Sequence, residues 1–139
     1  MALGWNEDIK KELGSCGKNV YIGHNVLINN PQGVHIGDNV RIDPNVMIMC
    51  PDVHIGNYVQ ICAFAFLGGR GSIRMDDWTF IGYHSQLFTA SEDYSGHFGP
   101  VNDFWGDNKV DVKPIILNRH SGVASRVTLM PGIELPEGS

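Results

Sequence analysis

Residues 36–61, IGDNVRIDPNVMIMCPDVHIGNYVQI, contain the pattern that decides the fold. An aliphatic residue returns at every sixth position from Ile36 to Ile42 and Ile48, and the count starts again at Ile55. Six is neither the period of a helix nor the period of a plain strand. A six-residue unit with one large inward side chain therefore indicates one short strand followed by one corner.

The same unit extends in both directions along the chain. Its aliphatic positions are Ile22, Ile28, Ile36, Ile42, Ile48, Ile55, Ile61, Leu67, Met75, Ile81, Leu87, Leu117, Val123, Leu129 and Leu135. Four residues after these positions stand small or β-branched residues, namely Val26, Val40, Val46, Val59, Ala65, Thr79, Ser85, Ser121 and Val127. Three units close a triangular coil, and stacked coils bury a column that no single unit can bury. We therefore predict an all-β fold, a parallel β-helix shaped as a triangular prism of about five coils.

Glycine follows the aliphatic residue in several hexads, at positions 23, 37, 56, 68 and 82. We attribute these glycines to corners whose backbone must be free of the strain that a Cβ atom imposes. The pattern assigns residues 16–88 to the lower coils and residues 114–139 to the upper coils of one domain, residues 1–139.

Composition narrows the function classes. The chain has 139 residues with a formal net charge of −5, and it lacks a cluster of lysine and arginine, which argues against nucleic acid as a partner. No apolar run approaches the length of a membrane span, and the first residues lack a signal-peptide core. Cys16, Cys50 and Cys62 form neither a metal spacing nor a C-x-x-C pair. They fit a reduced, cytoplasmic protein in which each thiol is a buried bystander.

Two segments interrupt the repeat. Residues 5–14, WNEDIKKELG, predict a short amphipathic helix, capped by Asn6 and with Ile9 and Leu13 on one face, so that residues 1–15 close the lower end of the prism. Residues 89–113 contain no hexad but carry aromatic, acidic and histidine side chains. A long loop of this composition on a rigid repeat is typical of an active-site loop.

Three segments carry a resemblance to a known family. Residues 36–43 (IGDNVRID), 91–96 (SEDYSG) and 114–132 (PIILNRHSGVASRVTLMPG) resemble hexapeptide-repeat sugar O-acetyltransferases, especially those of lipopolysaccharide, O-antigen and capsule assembly, and more distantly the galactoside and maltose acetyltransferases. The resemblance implies a left-handed coil and a homotrimer with active sites between neighbouring prisms. It also implies acetyl-CoA as the donor and a hydroxyl of a sugar or sugar nucleotide as the acceptor.

The resemblance directs attention to three candidate catalytic residues. His97, in the loop, is the first candidate for the general base, because a neutral imidazole can accept the proton of an attacking hydroxyl. Asp93 or Glu92 is its candidate orienting partner. The galactoside branch has its loop histidine about where Glu92 and Asp93 stand here, so Asp93 itself is an alternative catalytic group. His120 matches a histidine of the lipopolysaccharide branch, and it either lines the cleft between subunits or stacks on its neighbours.

The coenzyme is expected beside the upper coils. Ser125 aligns with a position that contacts the pantetheine arm in the galactoside enzymes, and the adjacent Gly122 and Ala124 are as small as a groove for a thin ligand requires. No metal site is expected. His35 and His54 share one register on adjacent coils and point outward, whereas the carbonic anhydrases built on this prism use three convergent histidines.

A second hypothesis stands beside the transferase. The sequence ends with LPEGS, inside a hexad, whereas the family adds further coils that hold the coenzyme. That ending predicts a weakened coenzyme site, and a non-catalytic or truncated trimeric scaffold is the alternative function. The polar and aromatic loop favours the transferase, and the acidic pair in place of a histidine favours the scaffold.

Overall fold

The computed structural model describes residues 7–92 and 110–139, and almost every regular element in them is a short strand. The strands are β1 (Ser15–Cys16), β2 (Tyr21–Ile22), β3 (Leu27–Ile28), β4 (Val34–Ile36), β5 (Arg41–Ile42), β6 (Met47–Met49), β7 (Asp52–Ile55), β8 (Gln60–Ile61), β9 (Phe66–Gly68), β10 (Ser72–Met75), β11 (Phe80–Ile81), β12 (Gln86–Phe88), β13 (Ala90–Glu92), β14 (Val110–Val112), β15 (Ile115–Leu117), β16 (Gly122–Val123), β17 (Thr128–Leu129) and β18 (Glu134–Leu135). Two one-turn 3-10 helices, Asp8–Lys11 and Pro31–Gly33, complete the described elements.

The strands form three parallel sheets, one on each face of a left-handed triangular prism. Face A has the order β1-β4-β7-β10-β15-β18, face B has β16-β11-β8-β5-β2, and face C has β17-β12-β9-β6-β3. Each coil runs from face A through B to C, so the prism has an A–B, a B–C and a C–A corner. The five coils beginning at β1, β4, β7, β10 and β15 confirm the predicted architecture, and β18 begins a further turn.

The aliphatic column forms the core as predicted. Thirteen of the fifteen predicted positions are buried, and the exceptions, Ile28 and Leu135, are partly buried and pack against the core. Every coil surrounds this column, so each strand is held by the coils above and below it.

A second inward layer on face A was not predicted. The longer strands of this face add one buried aliphatic residue per coil, at Val34, Val53, Ile73 and Ile115, each with 0% exposure. Residues that exceed the six-residue repeat at the C–A corner lengthen these strands. The extra residues therefore enlarge the core as well as forming a bulge.

The role predicted for the glycines was wrong, and the structure shows a different reason for them. None of Gly23, Gly37, Gly56, Gly68 and Gly82 has a positive φ. Four of them are required because the coils approach closely, and at Gly68 the ring of Phe66 in the same strand fills the place of a Cβ. A Cβ on Gly82, for example, would lie 2.5 Å from the carbonyl carbon of Ala124 in the next coil.

The left-handed backbone conformation belongs instead to the residue immediately before each small inward residue. These corner residues have φ between 57° and 65° and are Asn19, Asn25, Asn39, Asn45, Tyr58, Phe64, Trp78, His84, His120 and Arg126. Asparagine tolerates this conformation well, whereas bulky residues adopt it at a cost. The lower coils use asparagine, and the upper coils accept that cost for aromatic, imidazole and guanidinium side chains at the corners.

The predicted N-terminal helix is shorter in the structure than expected. The N-terminal segment forms a 3-10 helix of four residues, Asp8–Lys11, rather than a longer amphipathic helix. Ile9 and Leu13 nevertheless pack against the core, as predicted. The proposed cap, Asn6, lies outside the described residues.

Within residues 7–92 and 110–139, no helix is long and apolar enough to cross a membrane.

Candidate functional site

The long loop leaves the prism at the C–A corner, between β12 and β15. Its two ends pair as an antiparallel ladder, with Ala90 opposite Val112 and Glu92 opposite Val110. This ladder was not predicted, because residues 89–113 lack the hexad on which the prediction rested. The predicted catalytic residues of the loop, Asp93 and His97, lie outside the described residues.

Thr89 anchors both ends of the loop to the prism. Its side chain is fully buried, its hydroxyl donates to the carbonyl of Gly68 at 3.0 Å, and it accepts from the N–H of Gly71 at 3.0 Å. Its own carbonyl accepts from the N–H of Lys113 at 3.0 Å. Because these bonds tie the first and last loop residues to the same corner, the loop emerges from a fixed point on the prism. The hexad pattern does not include Thr89, so sequence reasoning did not identify it.

His120 stands at the A–B corner, the next corner along the coil. Its side chain is exposed, and its ring stacks on Trp78 with ring centroids 6.0 Å apart and planes inclined by 16°. Trp78 in turn stacks on Tyr58, with centroids 4.2 Å apart and planes inclined by 4°. Stacking was one of the two roles left open for His120, and it is the role that a single prism displays.

Ser125 and Ala124 are exposed at the third corner, B–C, directly after β16. The buried hydroxyl of Ser85 holds their backbone from the coil below. It donates to the Ala124 carbonyl at 2.6 Å and accepts from the Val127 N–H at 3.1 Å. Small side chains on a fixed, exposed backbone suit contact with a thin, flexible ligand.

Gly122 lies on face B between the two corners, and its small size has a visible structural use. The ring of Phe80, one coil below, occupies the place where a Cβ of Gly122 would point. The Phe80 side chain is itself 47% exposed. In a single prism Gly122 is therefore covered by an aromatic ring, and its contact with a coenzyme is a prediction only.

The described candidates do not converge within one prism. His120 and Ser125 flank β16 at opposite ends, and five residues of extended chain span roughly 16 Å. The loop carrying Asp93 and His97 leaves from the remaining corner. Within the described residues, His120, Ser125 and the ends of the loop therefore lie at three different corners of the prism.

An exposed aromatic surface surrounds face B in the third and fourth coils. It consists of Tyr58, Phe64, Trp78, Phe80 and Tyr83, each between 46% and 53% exposed. Contiguous apolar surface of this kind marks contact with another molecule more often than isolated exposed residues do. The surface lies beside both His120, which stacks on Trp78, and Ser125, which lies close to Gly82.

The three cysteines and the ion pair of Arg41 with Asp43 have shifted pKa values that follow from burial and hydrogen bonding. Burial raises the pKa of the Cys50 thiol to about 11, and burial also raises the pKa of Cys16 and of Cys62. The buried carboxylate of Asp43 accepts a 2.6 Å bond from Arg41, and this bond raises the Arg41 pKa. Within residues 7–92 and 110–139, no group of three or more His, Cys, Asp or Glu side chains can hold a metal ion.

His35 and His54 confirm the predicted register on adjacent coils. They pair across β4 and β7, and their rings stack with centroids 4.7 Å apart. His54 also contacts the carboxylate of Asp52 at 3.0 Å, and His35 contacts the hydroxyl of Ser15 at 3.0 Å. Both rings therefore have partners on face A, in the lower coils.

Known proteins share this architecture and part of the sequence. Residues 33–69 match the family described as bacterial transferase hexapeptide (six repeats). A dTDP-4-amino-4,6-dideoxy-D-glucose acyltransferase from Escherichia coli is 25% identical over 135 residues, which cover 93% of this chain and 70% of that protein.

A solved structure extends the similarity to nearly the whole chain. AntD, an N-acyltransferase from Bacillus cereus in complex with dTDP and 3-hydroxybutyryl-CoA, is 31% identical, with a TM-score of 0.88 over 99% of this chain and 75% of that one. A variant of AntD in complex with dTDP-4-amino-4,6-dideoxyglucose and coenzyme A gives the same identity and TM-score.

Proposed function

The chain belongs to the hexapeptide-repeat acyltransferases, and from this premise we propose that it transfers an acyl group from an acyl-CoA to the amino group of a nucleotide-linked amino sugar. The similarity to AntD, an N-acyltransferase solved with dTDP and acyl-CoA, is the observation that carries this proposal. The resemblance found in the sequence implied a sugar hydroxyl and an acetyl donor. Similarity to two enzymes of amino-sugar acylation favours nitrogen as the acceptor atom instead.

The reaction would proceed by attack of the amine on the thioester. The nitrogen lone pair forms a bond to the carbonyl carbon, an oxyanion develops, and the carbon–sulfur bond then breaks. The nitrogen loses a proton and the departing coenzyme A thiolate gains one, so that an amide and a free thiol result. Backbone N–H groups and nearby cations are the usual means of stabilising such an oxyanion.

The acidic pair at the start of the loop suits an amine acceptor. A carboxylate is a weak base with a pKa near 4, so it is poorly matched to deprotonating a sugar hydroxyl. It is well matched to accepting a hydrogen bond from the neutral amine, whose lone pair stays free to attack. It also stabilises the positive charge that the nitrogen carries once its bond to carbon has formed. We therefore assign to Asp93 the role of binding and orienting the acceptor amine. We assign to His97 the transfer of the proton from the nitrogen to the departing thiolate.

The coenzyme is assigned to the B–C corner. Ala124 and Ser125 offer small side chains on backbone that Ser85 holds in place, as a pantetheine arm requires. Gly122 on β16 is the third proposed contact, which would require Phe80 to move aside. The separation of this corner from His120 and from the C–A corner, where the loop begins and ends, supports a homotrimer in which neighbouring prisms complete each site.

A matched pair of acceptors tests the proposal. The purified chain is incubated with dTDP-4-amino-4,6-dideoxyglucose or with the analogue that carries a hydroxyl at carbon 4, and thiol release from acetyl-CoA and 3-hydroxybutyryl-CoA is followed. We expect release with the amino sugar alone, and the two donors then rank the acyl group. Release with the hydroxyl analogue alone would reinstate O-acylation, and release with neither acceptor would support the non-catalytic scaffold.

A further inference from the structure

One column of corner residues runs the height of the A–B corner. Its members are Asn19, Asn39, Tyr58, Trp78, His120 and Gly138, one from each successive turn. Their backbones are in register, because each member above the first donates its N–H to a carbonyl of the coil below. The last two bonds run from His120 to the Asp77 carbonyl at 3.2 Å and from Gly138 to the Arg119 carbonyl at 3.1 Å.

The side chains of this column stack until Gly138 interrupts them. Tyr58, Trp78 and His120 are stacked in sequence, so each ring is covered by the corner residue of the next turn. The residue above His120 is Gly138, which has no side chain. A Cβ added there would meet no heavy atom within 4 Å. The corner residue above the His120 ring therefore has no side chain that could cover the ring.

The neighbouring position changes its chemistry at the same level. In the lower coils, the residue before the corner residue accepts a bond from the backbone N–H of the coil below. Asp38 accepts from Lys18 at 2.8 Å, and Asn57 accepts from Asp38 at 2.7 Å. Asp77 continues the series by accepting from Asn57 at 2.7 Å.

In the fifth coil this acceptor is replaced by Arg119, which has no acceptor atom to offer. The Asp77 N–H below it is satisfied by the neighbouring Asp76 carboxylate at 2.8 Å. The Arg119 side chain is exposed, with no hydrogen bond or ion pair to any residue within 7–92 and 110–139. Arg119 therefore takes no part in this series of hydrogen bonds. Its exposed, positively charged side chain belongs to the residue next to His120.

We propose that His120 and Arg119 bind the nucleoside diphosphate of the acceptor, with the base stacked on the imidazole in the space above it and the diphosphate paired with the guanidinium. The inference rests on the proposed function, since it names where the acceptor's nucleotide lies. Nucleobases stack on aromatic side chains through their π-faces, and a guanidinium pairs with phosphate oxygens through two parallel hydrogen bonds. The exposed stack of Trp78 and Tyr58 supports the platform from below.

The position of this platform favours the acceptor's nucleotide over the adenosine diphosphate of coenzyme A. The small residues assigned to the coenzyme, Ala124 and Ser125, lie at the opposite end of β16. An acyl-CoA and a nucleotide sugar must approach the reacting atoms from different directions, and the two corners provide two such directions. The nucleotide sugar then binds at the A–B corner, and the acyl-CoA binds at the B–C corner.

Titration of the full chain with dTDP, in the absence of any acyl donor, tests the platform. Gly138→Trp places a ring in the open space, and we expect it to weaken dTDP binding at least tenfold. Asn19→Trp is the matched control, since it adds the same ring at the bottom of the same column, at another position with positive φ. We expect the control to bind dTDP as the parent chain does, and equal weakening in both variants would overturn the proposal.

Substitutions at the platform separate its two parts. Arg119→Ala should weaken dTDP and inorganic pyrophosphate about tenfold each, while thymidine binding is unchanged. His120→Ala should weaken dTDP and thymidine about tenfold, and His120→Phe should retain both within about threefold, because phenyl and imidazole rings both stack. Loss of dTDP binding in His120→Phe equal to that in His120→Ala would contradict a stacking role.

The identity of the nucleotide is tested by running the same variants with coenzyme A. If the substitutions weakened the binding of coenzyme A and left the binding of dTDP unchanged, the platform would not bind the nucleotide of the acceptor, and the proposal would be overturned. Failure of the proposed function is distinguishable, since a chain that binds dTDP through His120 and Arg119 but acylates no amino sugar disproves the activity and leaves the platform standing.

Discussion

The hydroxyl of Ser85 donates a 2.6 Å hydrogen bond to the carbonyl of Ala124, one coil above it. The same hydroxyl accepts the N–H of Val127, so a buried serine fixes the backbone on both sides of Ser125. Serine stands here at an inward position where the first two coils carry valine and the third carries alanine. The fold therefore replaces apolar packing with hydrogen bonds at the coil that lies under the proposed coenzyme corner.

Removing this hydroxyl should affect both stability and the coenzyme. Ser85→Ala removes two hydrogen bonds from the backbone of the next coil, and we expect the free energy of unfolding to fall by about 1–3 kcal/mol, as measured by urea denaturation. The KM for acyl-CoA should rise, because the backbone at Ser125 loosens. Ser121→Ala is the control, since its hydroxyl bonds to Asn118 at the other corner. It should lower stability without raising that KM, and equal effects on KM would refute the link.

Because the coils approach closely, the loss of stability on replacing a glycine by alanine should depend strongly on which glycine is replaced. Gly82→Ala would place a Cβ 2.5 Å from the Ala124 carbonyl carbon, and we expect a loss of about 1–3 kcal/mol in the free energy of unfolding. At Gly71 the nearest atoms would lie 3.0 Å or more from the new Cβ. Thermal melts of the two alanine variants should therefore differ, with Gly71→Ala nearer the parent chain. Equal melting temperatures would contradict the steric account.

The bulky corner residues predict where stability can be gained. Arg126 has φ of 60°, and asparagine adopts this conformation more readily. Arg126→Asn should raise the free energy of unfolding by up to about 1 kcal/mol, whereas the β-branched Arg126→Val should lower it. Urea denaturation of both variants measures the difference, and a stable valine variant would show that the corner can relax to another conformation.

The sequence predicted the prism well because its core obeys a simple count. Ile22, Ile42 and Ile61 are fully buried, each at the position that the six-residue period required. The second inward layer escaped prediction because the residues that lengthen the face A strands fall outside that count. Ile115, for example, follows the loop directly, and only the pairing of β10 with β15 places it inside.

The candidate site was less predictable, for a geometric reason. A hexad count places His120 and Ser125 on the surface, but it does not show which corner each occupies. The stack of His120 on Trp78 depends on two residues separated in sequence by the entire loop. The sequence predicts strained corners at the glycines that follow the aliphatic residues, whereas the corner positions with φ between 57° and 65° hold asparagine, aromatic, histidine and arginine residues.

The cysteines should differ in reactivity with pH. Burial raises the pKa of Cys50 from 9.0 to about 11, so its thiolate is scarce at pH 8 and alkylation of the native chain there should spare it. A raised thiol pKa contributes stability that is complete below pH 9 and is lost as the pH rises towards 11. Cys50→Ala should therefore flatten the fall in stability above pH 9. Mass spectrometry after iodoacetamide treatment locates the modified thiols, and rapid labelling of native Cys50 at pH 8 would disprove its burial.

A site shared between copies predicts complementation. His97→Ala and Ser125→Tyr should each be inactive alone, the first through the loop and the second through the coenzyme corner. If neighbouring prisms contribute one group each, co-expression of the two variants should recover part of the acyl transfer activity in the mixed assembly. Mixing the purified variants without exchange of subunits is the control. Absence of recovery in a verified mixed assembly would place both groups in one copy.

The nature of the bond formed tests the central claim most directly. After incubation of the chain with acetyl-CoA and dTDP-4-amino-4,6-dideoxyglucose, the product is isolated, its mass is measured by mass spectrometry, and it is treated briefly with alkaline hydroxylamine. Transfer to nitrogen predicts an acylated nucleotide sugar that survives this treatment, because hydroxylamine cleaves esters and leaves amides intact. An acylated product that hydroxylamine returns to the starting sugar would show transfer to oxygen and contradict the proposed function.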